Sequence, residues 1–238
     1  MKKRMTALAT QQKLSQSKRL SDVGTLVVIV AHELRNPLAA ISLATQNIRR
    51  KKGDLPIEKH LDSIEKKVSE SNKIIGDLLF CAKLKAPRYE IINIQNILSE
   101  CIGLAKKKFQ NPHIKVIRKF GQKKILVNAD LLQINQLFAN ILYNAFESII
   151  EKKGEITVGF GLNNQRNLEI YFKDNGVGMS KEDIRRTPEL FFTTKAKGIG
   201  LGLTVCYEIV ALHHGKISVK SQKNKGTTIT IVLSKNGK

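Results

Sequence analysis

The chain has 238 residues, 42% of them hydrophobic and 26% charged, which describes a folded protein with a core and excludes a disordered one. Lys and Arg number 41 against 20 Asp and Glu, a formal charge of +21, so acidic partners and polyphosphates are attracted. The longest nearly unbroken apolar stretch, Leu26–Ala31, is far short of the roughly 18 residues of a membrane span.

No n-region, h-region and cleavage-site pattern opens the chain, so a signal peptide is not expected. Cys81, Cys101 and Cys206 lie too far apart for a zinc site or a disulfide framework, so reduced thiols and a cytoplasmic location are expected. The basic residues are scattered, with short clusters at Arg49–Lys52, Lys106–Lys108 and Lys123–Lys124. Without finger spacing or an aromatic-rich motif they read as a solvated basic surface, and no specific nucleic acid is expected.

Residues 11–85 carry a helical pattern. Leu20, Val23, Val27, Val30, Leu34, Ile41 and Ile48 recur at three- and four-residue steps, skipping Pro37 and Ala44. Leu61, Ile64, Val68, Ile75 and Leu78 repeat it after the break at Gly53-Asp54-Leu55-Pro56. The expectation is a helical hairpin with one apolar seam per helix. A lone pair covers two seams poorly, so a dimeric four-helix bundle follows.

On the first helix His32 falls two residues past a seam position and faces outward. Glu33 can accept the proton of one ring nitrogen, which leaves the other nitrogen's lone pair as a nucleophile. Asn36 shares that face at i+4. Pro37 removes an N–H and crowds the carbonyl of Glu33, so a continuous helix should kink one turn beyond the histidine.

Ala86-Pro87-Arg88 stops the helical pattern. The chain therefore divides into a hairpin at 1–85, a hinge linker at 86–90 and a second domain at 91–238. Within the last, strands are predicted at His113–Phe120, Ile125–Asn128, Glu155–Phe160, Leu168–Lys173, Lys216–Ser221 and Thr227–Leu233. Helices are predicted at Ile94–Phe109, Leu131–Lys152 and Leu201–His213, with Asp130 and Gln133 forming a capping box at the start of the middle one. The fold class is an α/β sandwich with a mixed, largely antiparallel sheet and helices on one face.

Three separated segments of this domain read as one nucleotide site. The helix from Leu131 has a polar stripe of Gln136, Asn140, Asn144, Glu147 and Glu151. Its asparagines offer carboxamide oxygens, hard ligands suited to Mg²⁺. Asp174-Asn175-Gly176-Val177-Gly178-Met179 follows a predicted strand. There a carboxylate that only accepts hydrogen bonds would select adenine's amine over guanine's carbonyl, and the glycines permit close backbone approach. Gly198-Ile199-Gly200-Leu201-Gly202-Leu203 opens a helix whose N-terminus favours phosphate. Its spacing fits neither a dinucleotide fingerprint nor a Walker A loop. Between the last two, Phe191, Phe192, Thr193, Thr194 and Lys195 lie in a polar stretch that reads as a lid.

His32-Glu33-Leu34-Arg35-Asn36-Pro37-Leu38 resembles the H-box of sensor histidine kinases of two-component signalling. The later segments resemble the ATP-binding domain that those kinases share with type II topoisomerases, a heat-shock chaperone family and mismatch-repair ATPases. Asn140 and Asn144 match the N-box; Asp174, Gly176 and Gly178 the G1 box. Phe191–Lys195 match the F-box, Gly198, Gly200 and Gly202 with Leu201 the G2 box, and Gly226-Thr227-Thr228 the final G-box. One departure is Ile199, where many members carry Thr or Ser.

The resemblance implies ATP and Mg²⁺ as cofactors, with Asp174 on adenine and Asn144 as the magnesium ligand. It makes His32 the phospho-acceptor, Glu33 its base and orienter, and Asn36 the residue that positions water for dephosphorylation. It also implies a homodimer, onward transfer to an aspartate of a response-regulator receiver domain, and either a cytoplasmic protein or the cytoplasmic core of a longer membrane-bound sensor. Two other classes compete. An ATPase of the same superfamily that works as a conformational clamp would keep hydrolysing ATP in His32→Gln; a non-catalytic docking module would fail to bind ATP.

Overall fold

The computed structural model describes residues 34–48, 57–83, 86–120, 124–150, 153–163, 165, 167–189, 192–195 and 200–234. They fall into two units, the second beginning at Lys83. The first holds helix α1 over 34–48 and helix α2, Ile57–Lys83. The skipped seam positions prove the most buried in α1: Pro37 and Ala44 are buried, while Leu34, Ile41 and Ile48 are half-buried. Small and ring-closed side chains let a neighbour approach there. In α2 the seam residues Leu61, Val68 and Ile75, spaced seven apart, are each more than 40% exposed within the single chain.

The second unit runs β1 (Glu90–Asn93), α3 (Ile94–Phe109), β2 (Ile114–Lys119), β3 (Leu126–Ala129), α4 (Leu131–Ser148), β4 (Gly154–Leu162), β5 (Leu168–Asp174), α5 (Lys181–Arg186), α6 (Gly202–Leu212), β6 (Lys216–Gln222) and β7 (Gly226–Leu233). Five strands form one sheet in the order β2-β4-β5-β7-β6. Only β2 and β4 run parallel; the other pairs are antiparallel, as the pattern predicts. Strands β1 and β3 make a separate two-stranded ladder.

Helix α4 packs on β5 and β7 and carries α3 and α6 at its sides. Its apolar stripe explains this: Ile134, Leu137, Phe138, Ile141, Leu142, Ala145 and Phe146 are all buried, and the Phe138 ring meets Phe172 of β5 at 5.7 Å. Burying such side chains contributes about 1.5–3 kcal/mol each. Cys101 and Cys206 are buried in this core. Among the described residues, no helix is long and apolar enough to cross a membrane.

Helix α4 departs from expectation at both ends. Helix α4 stops at Ser148 rather than Lys152, because Ser148 gives its carbonyl to the Val177 N–H at 3.0 Å and Ile149 turns extended. The capping box at Asp130 is half made. Its carboxylate accepts from the Gln133 N–H at 3.0 Å, but its own N–H donates to His213 Nε2, also at 3.0 Å. His213 Nδ1 then donates to the Ile209 carbonyl at 2.8 Å, and burial holds the imidazole below its ordinary pKa, in the neutral form this pairing needs.

The other oxygen of Asp130 accepts from the Arg88 N–H at 2.8 Å, and Tyr89 donates its hydroxyl to the Leu212 carbonyl at 3.2 Å. Residues 88 and 89 of the expected linker are thus tied to α4 and α6. Glu90, assigned to the same linker, is the first residue of β1.

Candidate active site

Asp174 ends β5, the central strand of the sheet, and is only 7% exposed. Its Oδ1 accepts three hydrogen bonds: from Gly176 N–H at 2.9 Å, Ser148 Oγ at 3.1 Å and Thr227 N–H at 3.2 Å. Its Oδ2 takes none among the described residues, so one oxygen is fixed by the protein and the other is left to a ligand donor. Burial raises the carboxyl's pKa, and the three donors oppose that rise without cancelling it.

Glycines make this arrangement possible. A side chain at Gly176 would run into Ser148, at Gly178 (φ +62°) into the Gln222 carbonyl, and at Gly226 (φ +93°) into the carbonyl of Asp174 itself. Thr227, next to Gly226, also shares its hydroxyl with Ser221 Oγ at 2.9 Å. The start of β7, the end of β5 and the end of α4 therefore converge on one carboxylate.

One turn back along α4, Asn144 turns its Oδ1 to the Lys195 ammonium at 2.9 Å, and Glu147 Oε2 takes the same ammonium at 2.5 Å. A carboxamide oxygen and a carboxylate around one positive charge form a donor set that suits a hard cation. Asn140 behaves differently: its Oδ1 accepts from Gln136 Nε2 at 3.1 Å, and its Nδ2 donates to the Gly202 carbonyl at 3.2 Å. It ties α4 to the first turn of α6.

The remaining expected residues divide. Gly200 has φ +72°, Leu201 is buried and Gly202 opens α6. Thr193 accepts the Lys195 N–H at 3.1 Å, Thr194 is exposed, and the Arg186 guanidinium lies over the Phe192 ring at 4.3 Å. Asn36 is exposed on α1. His32, Glu33, Glu151, Phe191 and Gly198 lie outside the described residues.

Ser148 and Glu147 were not singled out for these contacts. Ser148 continues the spacing of Asn140 and Asn144 by another four residues, a signal present in the sequence. Glu147 could be seen on the polar stripe, but its pairing with Lys195, 48 positions on, could not.

Fold and site together define a nucleotide-binding domain of the ATPase type, preceded by a helical region. Residues 22–87 match the His Kinase A (phospho-acceptor) domain, and residues 129–237 match the histidine kinase-, DNA gyrase B-, and HSP90-like ATPase. The chain belongs to the sensor histidine kinases, of which these two domains form the catalytic core. It is 30% identical to the signal transduction histidine-protein kinase AtoS of Escherichia coli over 94% of this chain and 37% of that one. It is 33% identical to sporulation kinase E of Bacillus subtilis over 94% of this chain and 30% of that one.

The chain thus spans only about a third of the length of these relatives. Among solved structures, histidine kinase ThkA in complex with response regulator protein TrrA superposes with a TM-score of 0.77 at 23% identity, covering 92% of this chain and 64% of that one. Histidine kinase AdeS of Acinetobacter baumannii gives 0.67 at 22% identity, covering 86% and 98%. These likenesses are of fold.

Proposed function

We propose that this chain is an ATP-dependent protein-histidine kinase that phosphorylates His32 and passes the phosphoryl group to an aspartate of a response-regulator receiver domain. The observation that carries the nucleotide half is Asp174. A buried carboxylate with one oxygen saturated by the protein and the other open is an acceptor for adenine's exocyclic amine. Asn144, with Glu147 beside it, would hold Mg²⁺, as their grip on the Lys195 ammonium supports. When bound, the metal neutralises phosphate charge during transfer.

The chain's own groups supply the rest. The glycine-rich segment at Gly198, Gly200 and Gly202 and the segment from Phe191 to Lys195 enclose the phosphates. A ring nitrogen of His32 attacks the γ-phosphorus; a phosphorus–nitrogen bond forms, the bond to the bridging oxygen breaks, and ADP leaves. Glu33 takes the proton of the other ring nitrogen. Positioning and charge neutralisation account for most of such a reaction, so nucleophile and nucleotide can sit on separate units. Asn36, one turn from His32, positions water for dephosphorylation, which releases inorganic phosphate.

The exposed stripe of Leu61, Val68 and Ile75 supports a second copy as the partner of the helical unit, making a four-helix bundle. ThkA, a relative in fold, was crystallised with a response regulator, which supports that class of recipient. The test is incubation with ATP radiolabelled at the γ-phosphate and Mg²⁺. Acid-labile, base-stable label is expected on the wild type and none on His32→Gln; label surviving that substitution rejects His32 as acceptor.

A further inference from the structure

The Lys195 ammonium lies on the two oxygens that the functional reading gives to the metal. Its contacts are 2.9 Å to Asn144 Oδ1 and 2.5 Å to Glu147 Oε2, and its own backbone is held by Thr193. Ammonium has three donors and no acceptor, so it engages these oxygens in the way a cation does. A divalent ion on Asn144 Oδ1 needs the same lone pairs, and two positive charges within a few ångströms repel strongly where water is partly excluded.

We propose that Lys195 is a built-in competitor of Mg²⁺. It neutralises the Asn144–Glu147 pair and holds the lid segment 192–195 against α4, and loading of the metal–nucleotide complex displaces it. Released, the ammonium reaches for phosphate oxygen, the strongest acceptor nearby. Metal occupancy and lid position are then coupled through one side chain: metal without nucleotide must expel a lysine that has no new partner, whereas metal arriving with phosphates gives it one. The site thus prefers the complex to the bare ion. This inference rests on the reading of the site as a magnesium–nucleotide site.

The experiment uses the full chain and a fluorescent ADP derivative, whose binding is titrated with Mg²⁺. ADP is chosen because it lacks the γ-phosphate that the released lysine could also contact. Lys195→Met keeps the length of the side chain and removes the charge; it is expected to lower the half-saturating Mg²⁺ by about 3- to 10-fold. Lys195→Arg retains a cation there and stays within about twofold of wild type on the same argument. An unchanged or raised Mg²⁺ requirement in Lys195→Met, with the derivative still bound, overturns the competition and leaves the nucleotide site standing. Failure of the wild type to bind the derivative at any Mg²⁺ overturns both.

Discussion

The two ends of the nucleotide site are built on different principles. At the Asp174 end the carboxylate is buried, its donors are two backbone N–H groups and the Ser148 hydroxyl, and glycines lie against carbonyls where no side chain fits. At the Lys195 end, 35% of the lysine side chain and 31% of the Glu147 side chain are exposed, and the link is an ion pair between flexible groups. At Gly202, beside this end, a side-chain carbon would meet only Asn140 Cγ and Asn144 Nδ2, each at an ordinary contact distance of 4.0 Å. On the proposed reading the base would meet a preorganised surface whose ordering cost is borne in folding, and the phosphates would meet charges that can exchange partners. A kinase site of the proposed kind, binding ATP and releasing ADP, would gain from having its specificity at the rigid end and its adaptability at the other.

The largest expected effect comes from filling the rigid end. In Gly226→Ala the new methyl would collide with the Asp174 carbonyl, and φ +93° is itself unfavourable for alanine. The backbone of β7 must shift, at a cost of about 3–5 kcal/mol by the usual scale of strain plus overpacking. Gly202→Ala, at the adaptable end, is expected to stay within about 1 kcal/mol. Urea unfolding of the two variants measures both; similar losses would erase the distinction between the ends.

Asp174→Asn separates binding from stability. The amide oxygen can keep the three bonds now made to Oδ1, while the amide nitrogen takes the place of Oδ2 and presents a donor to adenine's donor. Nucleotide affinity should fall about 100-fold, the scale of losing a charged hydrogen bond and leaving donors opposed. Stability should move the other way. A carboxyl whose folded pKa is raised contributes stability below the unfolded pKa near 3.8 and loses it as pH rises through the folded value. At neutral pH the ionised Asp174 is therefore a cost, and its removal leaves the unliganded protein as stable or more so. A fall in both quantities together would mean that the carboxylate is structural first. Calorimetric titration and thermal melts at pH 5 and pH 7 read the two outcomes.

Most of this site was legible because its parts are local. The glycine-flanked Asp174 and the paired asparagines are short motifs with a chemical reason, and α3 was read to the residue from its apolar spacing. What escaped depends on partners far along the chain. Asp130 sends its N–H to His213, 83 positions away, so the capping box that its own neighbourhood spells is completed on one side only. Ile149 and Ile150 prolong the apolar rhythm of α4, yet the helix ends where Val177 claims its carbonyl. Strand β1 has four residues and α5 six, too few for periodicity to speak. The structure shows α5 opened by a Ser180–Asp183 capping box that went unread in the sequence. Composition and spacing leave Asn140 and Asn144 equivalent, the resemblance alone setting Asn144 apart, and the fold shows one oxygen spent on Gln136 and the other turned to a cation.

The smallest effect sharpens the contrast most. Removing the Lys195 charge breaks contacts to both Asn144 and Glu147, and a tally of contacts would rank it among the costly changes. The ion pair is a third exposed, however, so solvent screens it and replaces the lost partner, and the expected change in unfolding free energy for Lys195→Met is under about 1 kcal/mol. The same substitution is expected to move the magnesium requirement several-fold. An interaction that weighs little in folding can still decide a binding equilibrium, because there it is set against a competitor for the same oxygens rather than against water. A loss of several kcal/mol in the urea midpoint of Lys195→Met would place this lysine with Gly226 as part of the framework, and the adaptable end would have to be sought elsewhere.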